Sequence, residues 1–273
     1  NQVKVKEPKN LYEPIDYILQ LGGKRLRPIL VLLVNHVFNG ETKKAMPAAL
    51  AIEVFHNFTL IHDDIMDKAP IRRGKPTVHK KWDQNIGILS GDAMLIVAYQ
   101  SLEYYNGELF KNLTSLFSKT ALEVCVGQQM DMDFELRNDV NISEYLEMIK
   151  YKTSVLVAAA MQMGAFIAKA SKNEAKAMYN FGLNLGLAFQ LQDDYLDTFG
   201  NQQEFGKRIG GDIDENKKTY LYLKTLELAN HNDKSQLIYM YNTKSTTSKV
   251  ENVTQIFKKY TVDKLIKNEI EVY

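Results

Sequence analysis

The chain is poor in several features that would mark other classes of protein. Among its 273 residues there is one cysteine, Cys125, so no disulfide can form within the chain, which suits a reducing compartment and predicts a cytoplasmic protein. No run of about 18 apolar residues exists that could cross a bilayer, and the polar segment 1–9 is unlike a signal peptide. The 34 basic and 33 acidic residues nearly cancel, so the total charge predicts neither a nucleic-acid nor a membrane-surface partner.

Strand signals are also scarce. No segment combines alternating polarity with an Asn-Gly or Asp-Gly turn, and there is no Pro/Ser-rich linker or fixed-period repeat. Apolar residues instead recur at helical spacing, and length favours helices over strands. Helices are predicted over residues 12–21, 29–38, 45–66, 86–105, 109–132, 143–170 with a break near Lys152, and 174–199; a long loop over 200–217 and shorter helices should follow. We predict one nearly all-α domain over residues 1–273.

Two aspartate clusters are the most informative feature of the chain. Asp63–Asp67 and Asp193–Asp197 share the pattern Asp-Asp-x-x-Asp, and each ends a long apolar helical run. The first and last aspartates of each cluster share a helix face, where like charges cost about 0.2–0.5 kcal/mol per pair. Either cluster alone could be a solvated acidic helix end. Their repetition at one spacing favours hard oxygen ligands for magnesium that also holds a phosphate, in one site if the helices face each other.

Basic clusters supply the charge that an anionic ligand would need. In Gly22–Pro28, glycines allow close backbone approach, Lys24 and Arg27 can grip phosphate, and a helix begins directly after. Further basic loops follow the two aspartate clusters, at Arg72-Arg73-Gly74 and at Gly206-Lys207-Arg208 with Lys217-Lys218. Each loop alone is more simply a solvated surface; their positions past both acidic helices favour anion binding. No Walker-type or dinucleotide glycine loop is present.

Seven short motifs follow one another along residues 22–220. They are Gly22-Gly23-Lys24-Arg25-Leu26-Arg27-Pro28, Asp63–Asp67 with Arg72-Arg73-Gly74-Lys75-Pro76, Gly91-Asp92, Gly127-Gln128, Lys152-Thr153, Gln190–Asp197, and Gly206-Lys207 through Asp212 to Lys217-Lys218-Thr219. In this order they resemble the trans-isoprenyl diphosphate synthases, or polyprenyl synthetases, which include farnesyl and geranylgeranyl diphosphate synthases. Any one motif is weak, but seven in order are specific.

This resemblance implies a fold and a partner. The fold would be a single-domain bundle of about ten or more helices around a central apolar cavity, of the isoprenoid synthase type. The family also implies a homodimer, and the apolar segment 86–105 is our expected part of its interface. Because the family usually continues with another long helix beyond Leu265, we expect the chain to lack part of its C-terminal helix.

The resemblance further implies an activity and a role for each matched residue. The activity would be magnesium-assisted ionisation of an allylic diphosphate (dimethylallyl, geranyl or farnesyl), condensation with isopentenyl diphosphate, and loss of a proton. Three magnesium ions are expected, with metal ligands Asp63, Asp67, Asp193 and Asp197. The catalytic group would be Asp63, Asp64, Asp67, Asp193, Lys152, Thr153 and Gln190, the last two facing the reacting carbons. Isopentenyl diphosphate would be held by Gly23, Lys24, Arg27, His56 and Arg73, and the allylic diphosphate by Arg72, Lys152, Thr153, Gln190, Lys207 and Lys217. His56 as a core histidine and Thr153 as a helix cap remain open alternatives.

Product length is predicted from the helix before the first aspartate cluster. Thr59 lies one turn before Asp63, and Phe55 one turn before Thr59, on nearly the same face. Phe58 is also a chain-length position in the family. One turn rises about 5.4 Å, close to one five-carbon unit, so a small residue at 59 and an aromatic ring at 55 predict an all-trans product of about fifteen to twenty carbons. Alternatively these phenylalanines only fill the core and the product is longer.

Two rival interpretations are less favoured. A class I terpene cyclase also uses Asp-Asp-x-x-Asp, but its second metal motif would carry Asn, Ser or Thr, and Glu, unlike Asp193–Asp197. A non-catalytic helical subunit that binds a partner synthase is expected to lose an aspartate cluster, and both are intact here.

Overall fold

The computed structural model describes residues 7–201, 209–243 and 248–273. The helices are α1 (Lys9–Gln20), α2 (Leu26–Val37), α3 (Thr42–Met66), α4 (Val78–Lys81), α5 (Gln84–Leu102), α6 (Gly107–Leu136), α7 (Ile142–Ile149), α8 (Val155–Ile167), α9 (Lys172–Phe199), α10 (Gly211–Asp214), α11 (Tyr220–Leu228), α12 (His231–Tyr241), α13 (Lys249–Lys259) and α14 (Val262–Val272). This architecture confirms the predicted all-α class. Within the described ranges, no helix has the length and apolar character needed to cross a membrane.

The chain divides into two compact units. The first unit comprises residues 1–120 and 156–180, and the second comprises residues 121–155 and 181–273. The expectation of a single domain over residues 1–273 stays a prediction.

The first unit is organised around α3, which packs mainly against α5 and α2. The inward face of α3 combines small residues with large ones, so neighbouring helices approach closely while Ile52, Phe55 and Ile61 fill the space between them. This packing holds the C-terminal end of α3, and with it the first aspartate cluster, in a defined place.

The second unit has a core of aliphatic and aromatic side chains from the C-terminal helices. Phe257 and Ile266 are fully buried there, and the rings of Tyr222 and Tyr241 stack with centroids 4.0 Å apart. Lys218 extends its ammonium group to the carbonyl oxygens of Phe134, at 2.7 Å, and of Arg137. A cation at the last carbonyls of α6 is stabilised by hydrogen bonds and by the helix dipole.

Two local predictions need correction. The basic loop after α3 contains a short antiparallel hairpin, β1 (Ile71–Arg72) paired with β2 (Lys75–Pro76), although the sequence predicted none. Arg73 and Gly74 have φ of 51° and 74°, the two left-handed residues that form the turn of a two-residue hairpin. Asn, Asp or Gly usually takes the first of these positions, so the arginine did not indicate a hairpin turn. The long loop predicted over residues 200–217 contains the short helix α10 in its described part.

The expected break near Lys152 is present, and it takes the form of a π-helical turn. Residues Lys150–Ser154 form a π-helical turn between α7 and α8, so the helical path continues while its register changes. Such turns are rare and frequently occur at functional sites. This one carries both Lys152 and Thr153.

Candidate active site

The first aspartate cluster lies at the C-terminal end of α3. Asp67 caps the helix, donating its backbone N–H to the carbonyl of Asp63 at 2.9 Å, and is exposed. The Asp63 carboxylate is about one-fifth exposed. Four-residue spacing puts these two carboxylates on one side of the helix, where a ligand can reach them.

Asp64 points inward and is held by Arg72 of β1. Its carboxylate is 2% exposed, and both of its oxygens accept from Arg72 Nε at 2.8 Å. Arg72 also reaches Asp63 Oδ2 at 3.4 Å. Burial raises the pKa of Asp64, while the Arg72 hydrogen bond and charge oppose that rise. Burial alone would lower the pKa of Arg72, but the Asp64 carboxylate outweighs it and the pKa is raised, so the guanidinium stays charged beside Asp63.

The glycine-rich segment before α2 meets the basic hairpin in the same unit. Arg73 donates to the carbonyl oxygen of Gly22, and its guanidinium lies where a Cβ on Gly23 would collide with it. Gly23 also has φ of 116°, so a side chain there would be both strained and obstructed. Lys24 is exposed at the start of this cationic surface.

Arg27 and His56 form the half-buried part of that surface. Arg27 Nη1 lies 3.2 Å from His56 Nε2, and Arg27 Nε is buried with no hydrogen-bond partner among the residues that the structure describes. Burial lowers the pKa of Arg27 to about 10. Burial, followed by the charges of Arg27 and Arg73, lowers the pKa of His56 well below its usual value. A buried donor without an acceptor in a field of cations is suited to an anionic ligand.

Aromatic rings pack against one another at the helix segment that precedes the first aspartate cluster. Phe55 is 1% exposed, and its ring contacts Phe58 and Phe117 with centroids 5.5 and 5.2 Å away. Thr59 is half-buried and donates its hydroxyl to the carbonyl of His56 at 2.8 Å. The three chain-length candidates therefore lie together in the first unit, with Phe117 of α6 as a neighbour that the sequence did not point to.

The second aspartate cluster lies near the end of α9. Asp194 is 3% exposed and accepts from the hydroxyl of Tyr145 and from Gln190 Nε2, the latter at 3.1 Å. Burial raises the pKa of Asp194 well above its usual value, and Asp212 adds to the rise. Asp197 is 7% exposed, and its Oδ2 accepts the backbone N–H of Asp212 at 3.0 Å.

Lys152 and Thr153 are positioned by the π turn. Lys152 Nζ lies 2.5 Å from the Asp131 carboxylate of α6, and Thr153 donates its hydroxyl to Gln190 Oε1 at 3.0 Å. Glycines on two neighbouring helices make room for the turn. A Cβ on Gly127 would overlap the Lys152 backbone, and a Cβ on Gly186 would come within 2.5 Å of Ser154 Cα.

The remaining predicted cations fall in or near the loop after α9. Lys217 lies 3.3 Å from Glu215, donates its backbone N–H to the Asp212 carbonyl, and is partly exposed. Lys207 lies outside the described residues.

The donor chemistry of both clusters fits magnesium. Asp63, Asp67 and Asp193 are carboxylates with solvent access, which supply the hard oxygen ligands that magnesium prefers. Among the residues described, no three His, Cys, Asp or Glu side chains converge as an all-protein metal cage. Magnesium is usually held by one or two carboxylates together with water and a substrate phosphate.

Each unit therefore brings several predicted residues together, and each contains residues that the sequence missed. In the first unit, Glu53 accepts from Arg25 and from Asn57 Nδ2 at 2.9 Å, which anchors the glycine-rich segment to α3. In the second unit, Asp131 and Tyr145 hold Lys152 and Asp194. The Glu53–Arg25, Asp131–Lys152 and Tyr145–Asp194 pairs are 28, 21 and 49 residues apart in sequence, so no local pattern marks them. The site assignments themselves stay predictions.

Comparison with known proteins identifies the family. The family model for polyprenyl synthetase matches residues 8–260. A geranylgeranyl diphosphate synthase of Sulfolobus acidocaldarius is 40% identical over 258 residues, covering 93% of this chain and 78% of that protein. A crystal structure of a geranylgeranyl pyrophosphate synthase superposes with a TM-score of 0.93 at 53% identity, covering 98% of this chain and 84% of that one. The corresponding enzyme of Pyrococcus horikoshii Ot3 superposes with a TM-score of 0.93 at 35% identity, covering 98% and 82%.

These matches span nearly the whole chain, and they agree with its all-α architecture. The chain is a trans-prenyltransferase and belongs to the polyprenyl synthetase family.

Proposed function

We propose that the protein joins isopentenyl diphosphate to an allylic diphosphate and releases a short all-trans prenyl diphosphate. The observation that carries this proposal is the end of α3. There two accessible carboxylates, Asp63 and Asp67, lie beside the charged Arg72, in the same unit as the buried, partnerless Nε of Arg27. Carboxylates for a metal and cations for phosphate are the two components that a diphosphate-binding site needs.

Magnesium is the proposed cofactor, with three ions held by Asp63, Asp67, Asp193 and Asp197. When bound, it would neutralise charge developing on the departing diphosphate. Asp197 is the least available of the four, because one of its oxygens already accepts from the Asp212 backbone. Asp63 and Asp193 are therefore the ligands on which we expect activity to depend most.

The chain's own residues bind and orient the two substrates. Arg72, Lys152, Lys207 and Lys217 would contact the allylic diphosphate and favour the build-up of negative charge on it. Lys24, Arg27, His56 and Arg73, with the Gly23 backbone, would hold isopentenyl diphosphate. Thr153 and Gln190 would face the reacting carbons, and the proton lost after condensation would go to the released diphosphate. Holding both substrates in reacting geometry and excluding water, which would quench a carbocation, is the main task of the protein.

Product length is proposed to depend on Phe55, with Phe58 and Phe117 supporting it. The tight contacts of the Phe55 ring leave little space beyond the second turn below Asp63. The relatives that make geranylgeranyl diphosphate agree with a product of about fifteen to twenty carbons, or three to four five-carbon units.

We further propose a cytoplasmic homodimer. The single cysteine is compatible with a reducing compartment. On α5, Leu89 and Ile96 are 60% and 57% exposed, and Ile88 and Val97 are also exposed. Aliphatic residues exposed along one helix are typical of an interface between copies. A dimeric mass by light scattering at micromolar concentration is expected, and a monomeric mass would contradict this part of the proposal.

The test of the reaction is product analysis. The purified protein should be incubated with magnesium, isopentenyl diphosphate and each allylic primer in turn, and the dephosphorylated products separated by chromatography. We expect linear all-trans prenols that form only when isopentenyl diphosphate is present. Turnover of geranyl diphosphate alone would instead indicate a cyclase, and no turnover of any primer would indicate a non-catalytic subunit.

A further inference from the structure

Four side chains of the second unit form a continuous hydrogen-bonded relay. Tyr145 of α7 donates its hydroxyl to Asp194 Oδ2, and Gln190 Nε2 donates to Asp194 Oδ1 at 3.1 Å. Gln190 Oε1 in turn accepts from the hydroxyl of Thr153 at 3.0 Å. We call this set, Tyr145, Asp194, Gln190 and Thr153, the relay.

The relay determines the orientation of the Gln190 amide. Its NH2 group faces a carboxylate, which can accept, and its oxygen faces a hydroxyl that donates, so the amide has only one satisfactory orientation. The position of Asp194 therefore decides where both atoms of the Gln190 amide lie. Asp194 itself is 3% exposed and needs donors in place of water.

Tyr145 is the anchor at the buried end of the relay. It is 2% exposed and packs in the core of the second unit, so its hydroxyl has little freedom to move. The backbone at the other end is equally confined, because Gly127 and Gly186 approach the π turn so closely that added Cβ atoms would collide with it. With both ends held, the hydrogen bonds between them determine the rotamers of Gln190 and Thr153.

We propose that Tyr145 is a positioning residue for the condensation: through Asp194 it holds Gln190 and Thr153 in the orientation in which they face the reacting carbons. This inference rests on the proposed function, which places Thr153 and Gln190 at those carbons. A residue that only positions such groups should affect the chemical step more than the binding of either diphosphate.

The first variant is Tyr145→Phe, which keeps the ring and removes the hydroxyl. We expect kcat to fall about tenfold, which corresponds to the loss of one buried hydrogen bond. The KM of each substrate should stay within about twofold of wild type, since the diphosphate-binding cations are untouched. The matched control is Tyr222→Phe, because Tyr222 is 4% exposed in the same core and takes no part in the relay. It should retain wild-type kcat.

A second measurement distinguishes positioning from simple loss of stability. Tyr145→Phe should be combined with Thr153→Val in a double-mutant cycle, with kcat of all four proteins measured well below their unfolding temperatures. If the relay acts as a unit, the double variant should lose clearly less than the product of the two single losses. A loss equal to that product, or a Tyr145→Phe enzyme with wild-type kcat, overturns the inference.

The test also covers a Tyr145→Phe variant that does not fold and a wild-type protein that is inactive. If Tyr145→Phe does not fold, Tyr145→Phe combined with Asp194→Asn keeps both volumes and removes the buried carboxyl group that the single change would leave without its donor. That protein should show the same fall in kcat at unchanged KM, and wild-type kcat would overturn the inference. An inactive wild-type protein would overturn the proposed function itself, whereas an active wild type with an unaffected Tyr145→Phe variant overturns the relay alone.

Discussion

The same five-residue pattern ends α3 and closes α9, yet its second aspartate has a different partner in each place. Asp64 is paired with the guanidinium of Arg72, whereas Asp194 accepts from two neutral groups, the Tyr145 hydroxyl and the Gln190 amide. In both clusters this second position faces inward and is nearly fully buried. The comparison shows that the pattern separates two tasks: the first aspartate of each cluster keeps solvent access, and the second holds a neighbouring residue. The last aspartate differs between the clusters, because Asp67 is exposed whereas Asp197 is buried and accepts from the Asp212 backbone.

The surroundings of the two clusters also differ in charge. Around α3 the nearby groups are cationic, and Arg27, Arg73, Arg72 and Arg25 all add to the fall in the pKa of His56 that burial begins. Near the end of α9 the nearby groups are acidic, and burial followed by the charge of Asp197 raises the pKa of Asp212 to about 7. One cluster therefore lies in a field that attracts diphosphate, and the other in a field that attracts a cation.

The largest expected effect comes from removing the first aspartate of either cluster. Asp63→Ala or Asp193→Ala should lower turnover by orders of magnitude while leaving the fold intact, because carboxylates of a metal site serve function against local stability. Initial rates at saturating magnesium, together with circular dichroism, provide the measurement. Asp16→Ala, on the exposed face of α1, is the matched control and should keep full activity. Retained activity in both cluster variants would refute the assignment.

A second prediction concerns the rings below the first cluster. Phe55→Ala should lengthen the product by at least one five-carbon unit, because the ring closes the space two turns below Asp63. Removing a fully buried ring should also cost about 3–5 kcal/mol of unfolding free energy. Chromatography of the products and urea unfolding measure the two effects. Phe181→Ala, at a ring of α9 that is 56% exposed, should change neither. Unchanged products from a folded, active Phe55→Ala enzyme would mean that this ring does not set the length.

The third prediction compares the two inward-facing aspartates directly. Asp64→Asn should reduce the unfolding free energy by about 3 kcal/mol, since it removes the nearer of the two carboxylates that pair with Arg72 and leaves only Asp63 at 3.4 Å. Asp194→Asn should cost less, about 1–2 kcal/mol, because the new amide oxygen can still accept from Tyr145, although the new NH2 group would face the NH2 group of Gln190 where Asp194 has an acceptor. Urea unfolding of both variants at neutral pH makes the comparison. Equal losses would show that the ionic and neutral partners are equivalent.

The smallest expected effect is a pH dependence of the unfolding free energy that is caused by His56. Its pKa in the folded protein lies below that in the unfolded chain, so its contribution to stability is present above about pH 6.5 and is lost as the pH falls. In the wild-type protein, this one group should change the unfolding free energy by at most about 1.4 kcal/mol per pH unit. His56→Gln should make the acid limb shallower, whereas His36→Gln, at an exposed position on α2, should not. If the unfolding free energy of wild type and of His56→Gln fell equally steeply with pH, the lowered pKa of His56 would be contradicted.

The sequence predicted what depends on local spacing and missed what depends on contacts between distant residues. The all-α class, the ends of α3 and α9, and the interruption near Lys152 followed from periodicity and from glycine, proline and aspartate positions. The hairpin at residues 71–76 was missed because Arg73, rather than Asn or Gly, takes the first left-handed position of its turn. Tyr145 could not be foreseen, since its partner is 49 residues away and an inward-facing tyrosine looks like any core residue.

Lys217 and Lys218 are a further case in which the sequence could not predict the contacts of individual side chains. The sequence presents two adjacent lysines suited to phosphate, but a cluster of charges does not say which member faces a ligand. The structure places the Lys218 ammonium on the carbonyl oxygens at the end of α6, where it stabilises that helix end. Lys217 remains partly exposed.

We propose that the first aspartates of the two clusters hold magnesium on the allylic diphosphate. The most direct test of this proposal is calorimetric titration with a non-hydrolysable allylic thiolodiphosphate, with and without magnesium, for wild type, Asp63→Asn, Asp193→Asn and the Asp16→Asn control. We expect wild type and the control to bind the analogue in a magnesium-dependent way, and we expect each cluster variant to bind it at least tenfold more weakly, a loss of about 1.4 kcal/mol or more. Binding by both cluster variants that matches wild type and still requires magnesium would contradict the proposal.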